Sequence, residues 1–400
     1  MTDTDDAIET LRGDLLRGIA AHARKRRRAA RLVVGAGAVF IALVAVLIWP
    51  SGTERDLDLA AVGDQSKPAV LREIDSPLSP RYEAAIAATE SSVLIWGGRP
   101  VDSSRDGPGG PDDLDDGIIY NTSTELVEQM PPSPLGAASE VSAIATSDST
   151  ILICCYSGLA EYDIVDRAWQ RLADPPHLGV GGVAIEWTGS SLVAAANDLV
   201  GVYDPALDQW TTVATPAPLG SSPGPGLAVL DGAVYSVDAL GETWLALDLS
   251  TSTWTELQPP EGADSIVRPA VTATSDGIYV LGPARSGQLI DEDVLTSAFY
   301  RPESGDWTVL DRPLPPPKPS EGNIGSVSAA ALGDRIAVWA GTLSSTQDQS
   351  VGIVISYAPT SGTWSTIATG ASPLPGRLVL TLDKIAVILL DGRLFVADRS

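Results

Sequence analysis

The 400-residue chain has few of the residues that enzymes use as nucleophiles and metal proteins use as ligands. It contains two histidines and two cysteines, and His177 is the one histidine beyond residue 50. The cysteines, Cys154 and Cys155, are adjacent, which excludes a disulfide framework and a spaced set of thiolate ligands. Because neighbours in a strand point to opposite faces, we interpret them as two small core residues, with a vicinal redox pair as the alternative.

Basic residues are scarce after the first 50 positions. Residues 1–50 hold 8 of the 26 basic and 5 of the 51 acidic residues, which leaves 18 basic and 46 acidic residues in the rest of the chain. An acidic body of this kind repels phosphate backbones. We therefore expect no nucleic-acid partner.

Recognisable catalytic patterns are also missing. A copper oxidase centre with two histidine ligands needs more histidines than residues 51–400 contain, and no sialidase-type S-x-D-x-G-x-T-W box occurs. Residues 220–224 spell G-x-S-x-G, but they lie in a Pro/Gly-rich connector and no helix follows, as a nucleophile elbow requires. The sequence predicts no catalytic residue, no cofactor and no metal site.

One long apolar run is present. Residues 32–49 contain no charged residue, and as a helix rising ~1.5 Å per residue they would cover ~27 Å, close to the ~30 Å hydrocarbon core of a bilayer. Basic residues cluster in 24–31 and acidic residues follow in 54–58, which predicts a cytoplasmic N-terminus and an extracytoplasmic remainder. We predict a single uncleaved transmembrane helix; the alternative, a cleaved signal peptide, would have an unusually long leader.

The segment ahead of this helix, residues 1–31, is predicted to be a basic amphipathic helix in the cytoplasm, since Ile8, Leu11 and Leu15 recur at helical spacing. We interpret it as a juxtamembrane anchor on anionic lipid, with a partner-binding tail as the alternative. Residues 50–68 are expected to form a linker.

Tryptophan is comparatively frequent, with 10 in the chain, and half of these residues share one local setting. Each of the five follows a large apolar residue by seven positions and precedes a branched aliphatic residue by three. The pairs are Tyr162 and Trp169, Tyr203 and Trp210, Leu247 and Trp254, Tyr300 and Trp307, and Tyr357 and Trp364. Self-similarity at such a period indicates a repeat array.

Each repeat contains four short runs of β-forming residues between Gly, Pro, Asp and Ser turns. In the third unit they are Val183–Trp187, Leu192–Ala195, Val200–Tyr203 and Trp210–Val213. One four-stranded antiparallel sheet cannot bury both of its faces alone, whereas sheets stacked around an axis can. The pattern therefore predicts an all-β fold, a β-propeller over residues 69–400, preceded by the single transmembrane helix.

The glycine pair Gly97-Gly98 after a second strand, and the Tyr and Trp that flank the later turn in four units, resemble the kelch repeat. The resemblance covers residues 69–398 and implies a propeller; the other units lack the glycine pair, so the set is divergent. It implies nothing specific about the ligand.

The number of blades depends on the two ends of the array. The last unit has three predicted strands, Arg377–Leu382, Ile385–Leu389 and Leu394–Ala397, and no Trp-bearing fourth strand. Ahead of the first unit, Leu71, Ile74 and Pro77 repeat the spacing of Trp, aliphatic residue and Pro. We predict that this segment supplies the missing outer strand of a seven-bladed ring; six blades with an appendage is the alternative.

Ligand binding is expected at loops, since loops on a rigid scaffold usually carry recognition. The longest predicted loops are residues 98–116 in blade 1, 282–296 in blade 5 and 341–352 in blade 6, and we predict that they form an arc on one face. The acidic stretch 112–116 is interpreted as a solvated loop tip, with a calcium site as the alternative. The candidate binding residues are Arg99, Arg105, Asp112, Arg285, Asp291 and Asp348.

These observations predict a bacterial cell-membrane protein, anchored by residues 32–49, whose extracytoplasmic propeller is a protein- or glycan-binding or scaffold module. A cell-envelope enzyme acting on glycans or on lyase substrates is one alternative. A transmembrane sensor that signals through the N-terminal helix is the other.

Overall fold

The computed structural model describes residues 68–101, 112–178, 182–220, 225–261, 263, 266–286, 289–310, 323–343, 352–359, 361–371, 376–389 and 392–399. The chain divides into two units, Met1–Gln65 and Ser66–Ser400. The predicted segments 1–31 and 32–49, and nearly all of 50–68, lie outside the described residues. In the ranges that are described, no helix has the length and apolar character to cross a bilayer.

The second unit is a seven-bladed β-propeller. Each blade contains four antiparallel strands, which in blades 1 to 6 follow in chain order from the centre outward; blade 7 takes its outer strand from the N-terminal segment, and the sheet of blade 6 has a fifth, parallel strand at its edge. The first strands are Ala85–Ala88, Ser142–Ala145, Ala184–Trp187, Gly226–Leu230, Ala270–Thr274, Asn323–Leu332 and Gly376–Leu380. The second strands are Ser92–Trp96, Thr150–Cys155, Leu192–Ala196, Ala233–Val237, Gly277–Ser286, Arg335–Leu343 and Lys384–Leu389.

The outer half of each blade follows the same order. The third strands are Gly117–Asn121, Gly158–Asp163, Leu199–Asp204, Trp244–Asp248, Leu289–Arg301, Gly352–Ala358 and Leu394–Asp398. The outer strands are Leu126–Gln129, Ala168–Arg171, Gln209–Ala214, Thr253–Glu256, Asp306–Val309, Thr363–Ala371 and, for blade 7, Arg72–Ile74. The prediction of seven blades is confirmed, and the six-blade alternative is wrong.

The N-terminal strand closes the ring. Arg72 pairs with Val396 and Ile74 with Leu394, antiparallel to the last strand of the chain. Two residues earlier, Ala69–Val70 runs parallel to the outer strand of blade 6. The first strand of each blade lies against those of its two neighbours, and that of blade 7 lies against that of blade 1. The fourth strand of blade 7 therefore comes from the N-terminal segment.

The seven-residue spacing between Tyr and Trp has a simple geometric cause. Tyr162 and Trp169 lie directly opposite each other across the turn between the third and outer strands, and Tyr203 and Trp210 do the same in the next blade. Their ring centroids are 4.8 and 5.3 Å apart. Directly opposed side chains are the pairs that stabilise a sheet, so the periodic signal in the sequence marks cross-strand neighbours.

Apolar cores lie between the blades, one at each junction of the ring. Ile388 of blade 7 and Ile95 of blade 1, for example, share a core, and both are almost fully buried. Burying such a side chain contributes about 1.5–3 kcal/mol. Blades are also joined by hydrogen bonds, since the indole Nε1 of Trp169 donates to Pro131 O and that of Trp210 to Ala173 O, each at 2.9 Å.

Two predictions about local structure are wrong. Residues 282–296 of blade 5 are not a loop, because the strands Gly277–Ser286 and Leu289–Arg301 continue as a hairpin, with a register shift at Pro283, which has no N–H to donate. The β-branched residues Ile290, Val294 and Thr296 in this stretch favour a strand. In addition, Cys154 is disulfide-bonded instead of being a simple core thiol, and Cys155 is the only other cysteine in the chain.

Candidate functional site

The base of the blade 1 loop is held by a buried ion pair. Arg99 Nε donates to Asp113 Oδ1 at 2.8 Å and to Ser139 Oγ at 2.9 Å. Ser139 Oγ in turn donates to Asp113 Oδ2 at 3.1 Å. Burial alone would lower the pKa of Arg99, but the hydrogen bond and the negative charge of Asp113 outweigh it, so the pKa is raised. This arginine holds the loop to the ring.

A second arginine ties the same loop to the N-terminal segment. Arg81 is buried and donates to both carboxylate oxygens of Asp116, at 2.7 and 3.1 Å, a bidentate geometry. Two of the four aspartates in 112–116 are therefore structural. The interpretation of 112–116 as a solvated tip is wrong for Asp113, which is buried against Arg99, whereas Asp112 and Asp115 are exposed and Asp116 is partly exposed beside Arg81.

The glycine pair lets the backbone approach closely at this point. Gly97 and Gly98 have φ of 68° and 92°, in the left-handed region that favours glycine. A Cβ on Gly97 would lie 2.6 Å from Ala138 O, and one on Gly98 would lie 2.6 Å from Tyr82 O. The pair thus permits the contacts that seat the blade 1 loop.

The predicted candidate residues fall into three groups. Arg99 is buried in its ion pair, whereas Asp112 is exposed. Arg285 and Asp291 lie on the two strands of the blade 5 hairpin, opposite Ile290 and Ala284 respectively, so the fold brings these two positions close together. Arg105 and Asp348 lie outside the described residues. No single described site unites the candidates.

Blades 5 and 6 rise above the rest of the ring on the face where second strands end. The second strands of blades 1 to 4 have five or six residues, whereas those of blades 5 and 6 have 10 and 9. Ser286 is five residues beyond Leu281, which corresponds to about 16 Å of extended chain. The hairpin lies against the first strand of blade 6. The ends of these strands form a raised sector, residues 282–286, 289–296, 323–326 and 340–343.

A central channel of about 430 Å³ passes between the seven first strands. Its lining is mainly alanine and branched aliphatic side chains. Two serines of the lining form hydrogen bonds between neighbouring blades. Ser142 Oγ donates to Val183 O at 2.7 Å, and Ser328 Oγ accepts from Leu378 N at 3.0 Å. Among the described residues, Glu186 of blade 3 and Arg377 of blade 7 are the only charged side chains that line this channel.

The channel shifts the pKa of both charged groups. Burial raises the pKa of Glu186 to about 7, and the positive charge of Arg377 and a hydrogen bond from Trp187 act against this rise. Burial also lowers the pKa of Arg377, opposed by the charge of Glu186. Water reaches both side chains in the channel, but protein surrounds the channel on all sides, so neither ion is solvated as it would be on the outer surface.

A third feature is a cleft of about 320 Å³ beside blade 2, lined in part by Ser157, Asp174 and His177. These are the residue types of a hydrolytic triad, but their contacts differ from those of one. Asp174 Oδ1 accepts from Arg171 at 2.8 Å, and the buried Ser157 Oγ has no hydrogen-bond partner. A triad needs a relay of hydrogen bonds from Ser through His to Asp, which this cleft does not show.

Glu186 and Arg377 are absent from the candidates that the sequence predicts. Each stands inside a first strand, where neighbouring blades carry small or apolar residues, and an alignment of the seven first strands would have shown both as exceptions. The sequence alone does not show that the first strands lie at the centre, because their central position follows only from the assembled ring. Among the described residues, no group of three or more His, Cys, Asp or Glu side chains forms a metal site.

No family model matches the chain, and no curated protein matches its sequence. Solved structures share its fold. It is similar to virginiamycin B lyase from Staphylococcus aureus, with a TM-score of 0.55, 10% identity, and coverage of 83% of this chain and 99% of that one.

Two further structures are similar to the chain. A chain of a mitotic checkpoint complex has a TM-score of 0.55 and 13% identity, covering 88% of this chain and 97% of that one. YjhT has a TM-score of 0.50 and 11% identity, covering 74% and 99%. At these identities the likeness shows the β-propeller fold alone, and that fold is what the comparisons establish for this protein.

Proposed function

We propose that the protein is a binding module of a bacterial cell envelope, held at the outer face of the membrane by a single-pass helix over residues 32–49. In this proposal the propeller is a divergent kelch-like array, and its raised sector recognises a protein or glycan. The observation that carries the proposal is the raised sector itself, because a closed ring of otherwise short strands extends on one face at two adjacent blades.

Three features support the binding role. The ring is closed and its blade junctions are apolar, so it forms a rigid base for the raised sector. The blade 1 loop is seated by the buried pair of Arg99 and Asp113 on the same face. The cleft around His177 lacks a triad's hydrogen bonds, so the geometry favours recognition over hydrolysis.

Two features support the extracytoplasmic location. The charge distribution around residues 32–49 follows the pattern of a helix whose N-terminal side is cytoplasmic. The disulfide at Cys154 suits an oxidising compartment, where such bonds persist.

The binding role is tested by shortening the hairpin. Replacing Pro283–Leu295 with Asn-Gly joins the paired residues Gly282 and Thr296 by a two-residue turn. Crosslinking pull-down from intact cells, followed by glycan-array binding of the purified protein, then compares this variant with the wild type. The matched control changes Asp231-Gly232, a turn on the opposite face, to Asn-Gly.

We expect the wild type and the control to recover the same protein or glycan. The amount that the shortened variant recovers should be at least ten-fold lower. Equal recovery by all three proteins would contradict the assignment of the raised sector. The membrane proposal is tested separately, since protease added to intact cells should cleave the propeller, and full protection would overturn it.

A further inference from the structure

Pairing register gives the first strands of the seven blades a common alignment. In blade 3, Trp187 of the first strand pairs with Leu192 of the second strand, and Leu192 pairs with Tyr203 of the third strand. The same two steps of pairing, taken from the equivalent third-strand position, select one first-strand residue in each of the other blades. These first-strand residues are Ala88, Ala145, Trp187, Val229, Ala273, Ala331 and Leu380. They define one level of the ring, counted from the face with the raised sector.

Glu186 and Arg377 are exceptions at their own levels. One residue before the reference level, the seven positions are Ala87, Ile144, Glu186, Ala228, Thr272, Ala330 and Val379. Three residues before it, they are Ala85, Ser142, Ala184, Gly226, Ala270, Ser328 and Arg377. Each level therefore has six small or apolar residues and one ion, and the two ions have opposite charge.

The two ions lie at different depths on opposite sides of the channel. The first strands run in the same direction, so Arg377 is two residues, about 7 Å, nearer than Glu186 to the face with the raised sector. Counted around the ring, blade 3 and blade 7 are three junctions apart one way and four the other. Arg377 also borders the cleft that leads outward past Tyr82 and Gly392, so it stands near the mouth of the channel.

The propeller fold does not require a charged residue at either of these two levels. Six blades close their first strands with small or apolar residues at each of these levels. Glu186 is half-buried and Arg377 is exposed to channel water, so water solvates both ions in part, but a charge inside a narrow channel is less well solvated than one on the outer surface. The two groups attract each other through the channel without a direct ion pair. A ligand with matching charges would supply the missing partners.

We propose that the central channel binds a small zwitterionic organic molecule, with its carboxylate on Arg377 and its ammonium group on Glu186. The offset between the two ions selects a molecule whose charges are separated by a short chain, as in a dipeptide or an ω-amino acid. Simple anions such as phosphate suit the site less well, because Glu186 and the strongly acidic body repel them. The alanine-rich lining of a 430 Å³ channel accepts a short apolar chain.

This channel site goes beyond the proposed binding role of the raised sector. It involves first strands alone, so either assignment can fail without the other. The hairpin-shortened protein, for instance, should keep the channel ligand.

The test is isothermal titration calorimetry on the full chain in detergent at pH 7.5, where most of Glu186 is ionised and most of the α-amino group of a peptide is still charged. The probes are 6-aminohexanoate and glycylglycine, with hexanoate and hexylamine as the two halves of the first. Arg377→Ala and Glu186→Ala copy the residue that three other blades carry at the same level, so both variants should fold. Arg167→Ala and Glu161→Ala, away from the channel, are the matched controls.

We expect at least one zwitterion to bind, both halves to bind at least ten-fold more weakly, and each channel variant to lose at least ten-fold of the affinity. The controls should stay within two-fold of the wild type, and Arg377→Lys, which keeps the charge, should retain binding. Absence of heat from both zwitterions at millimolar concentration would overturn the proposal. Equal binding by the channel variants, or hexylamine binding as tightly as the zwitterion, would overturn it as well.

Discussion

Arg99 and Asp113 form an ion pair at 2.8 Å with only 4% and 1% of their side chains exposed. Removing one partner of a buried pair leaves the other charge without compensation. Arg99→Ala is therefore expected to lower the free energy of unfolding by about 3–5 kcal/mol. Urea denaturation followed by tryptophan fluorescence measures this loss.

The control for this substitution is Arg72→Ala. Arg72 pairs with Glu125, and both side chains are about half exposed, so the expected loss is at most about 1 kcal/mol. Similar losses in the two variants would show that the blade 1 loop does not depend on the buried pair.

Ring closure by the N-terminal segment can be tested at two adjacent residues. Leu71 is 4% exposed in the core between blades 6 and 7, whereas Val70 is 73% exposed. Leu71→Ala should lower the free energy of unfolding by about 2–5 kcal/mol, as other large-to-alanine changes in cores do. Val70→Ala should change it by about 0.5 kcal/mol or less. A thermal melt of each variant checks this, and equal melting temperatures would argue against a docked N-terminal strand.

Removing an indole hydrogen bond between blades should lower the free energy of unfolding by an amount that can be separated from the loss of packing. Trp210→Phe keeps a large ring but removes the bond from Nε1 to Ala173 O, so about 1 kcal/mol should be lost beyond the smaller buried area. Trp187 is the comparison, because its indole donates no hydrogen bond to any described residue. If Trp187→Phe lowers the urea midpoint as much as Trp210→Phe, the interblade bond contributes little.

The disulfide at Cys154 predicts a specific labelling pattern. When the protein is unfolded without reductant, a thiol-alkylating reagent should add no mass. After reduction it should add two labels per chain, since the chain has two cysteines. Two labels without reduction would remove this support for an oxidising compartment. Mass spectrometry of the intact protein distinguishes the two results.

The fold was predictable where the sequence carried a periodic signal. The Tyr-to-Trp spacing reports residues that face each other across a turn, and such local geometry recurs in blades 1 to 6. Closure could be inferred as well, because Leu71, Ile74 and Pro77 repeat the outer-strand spacing. These signals depend on contacts between residues near in sequence, or on copies of one pattern.

The candidate site was harder to predict because its parts do not repeat. Arg99 and Asp113 lie within a segment rich in acidic residues, so composition indicated solvation, whereas the fold buries one of these aspartates against an arginine. The hairpin of blade 5 contains Gly and Pro and was predicted as a loop. Glu186 and Arg377 are 191 residues apart in the chain, and only the assembled ring places them in the same channel.

Glu186 also predicts a pH dependence of stability. Burial raises its pKa to about 7 in the folded protein, above the value near 4.3 that is usual for an unfolded chain. Between these values the folded protein holds the proton more tightly than the unfolded chain does. Stability contributed by this group is thus present at low pH and is lost as the pH rises through the interval from about 4.5 to 7.

Glu186→Gln removes this titration without changing the size of the side chain. Because channel water partly solvates Glu186, the effect should be smaller than the full pKa shift implies, and we expect about 1–2 kcal/mol. The free energy of unfolding of the wild type should fall by that amount relative to the variant between pH 4.5 and pH 8. Other acidic groups titrate equally in both proteins and cancel in the difference. Parallel curves over this range would mean that Glu186 is solvated as on an open surface, and that the channel does not enclose it.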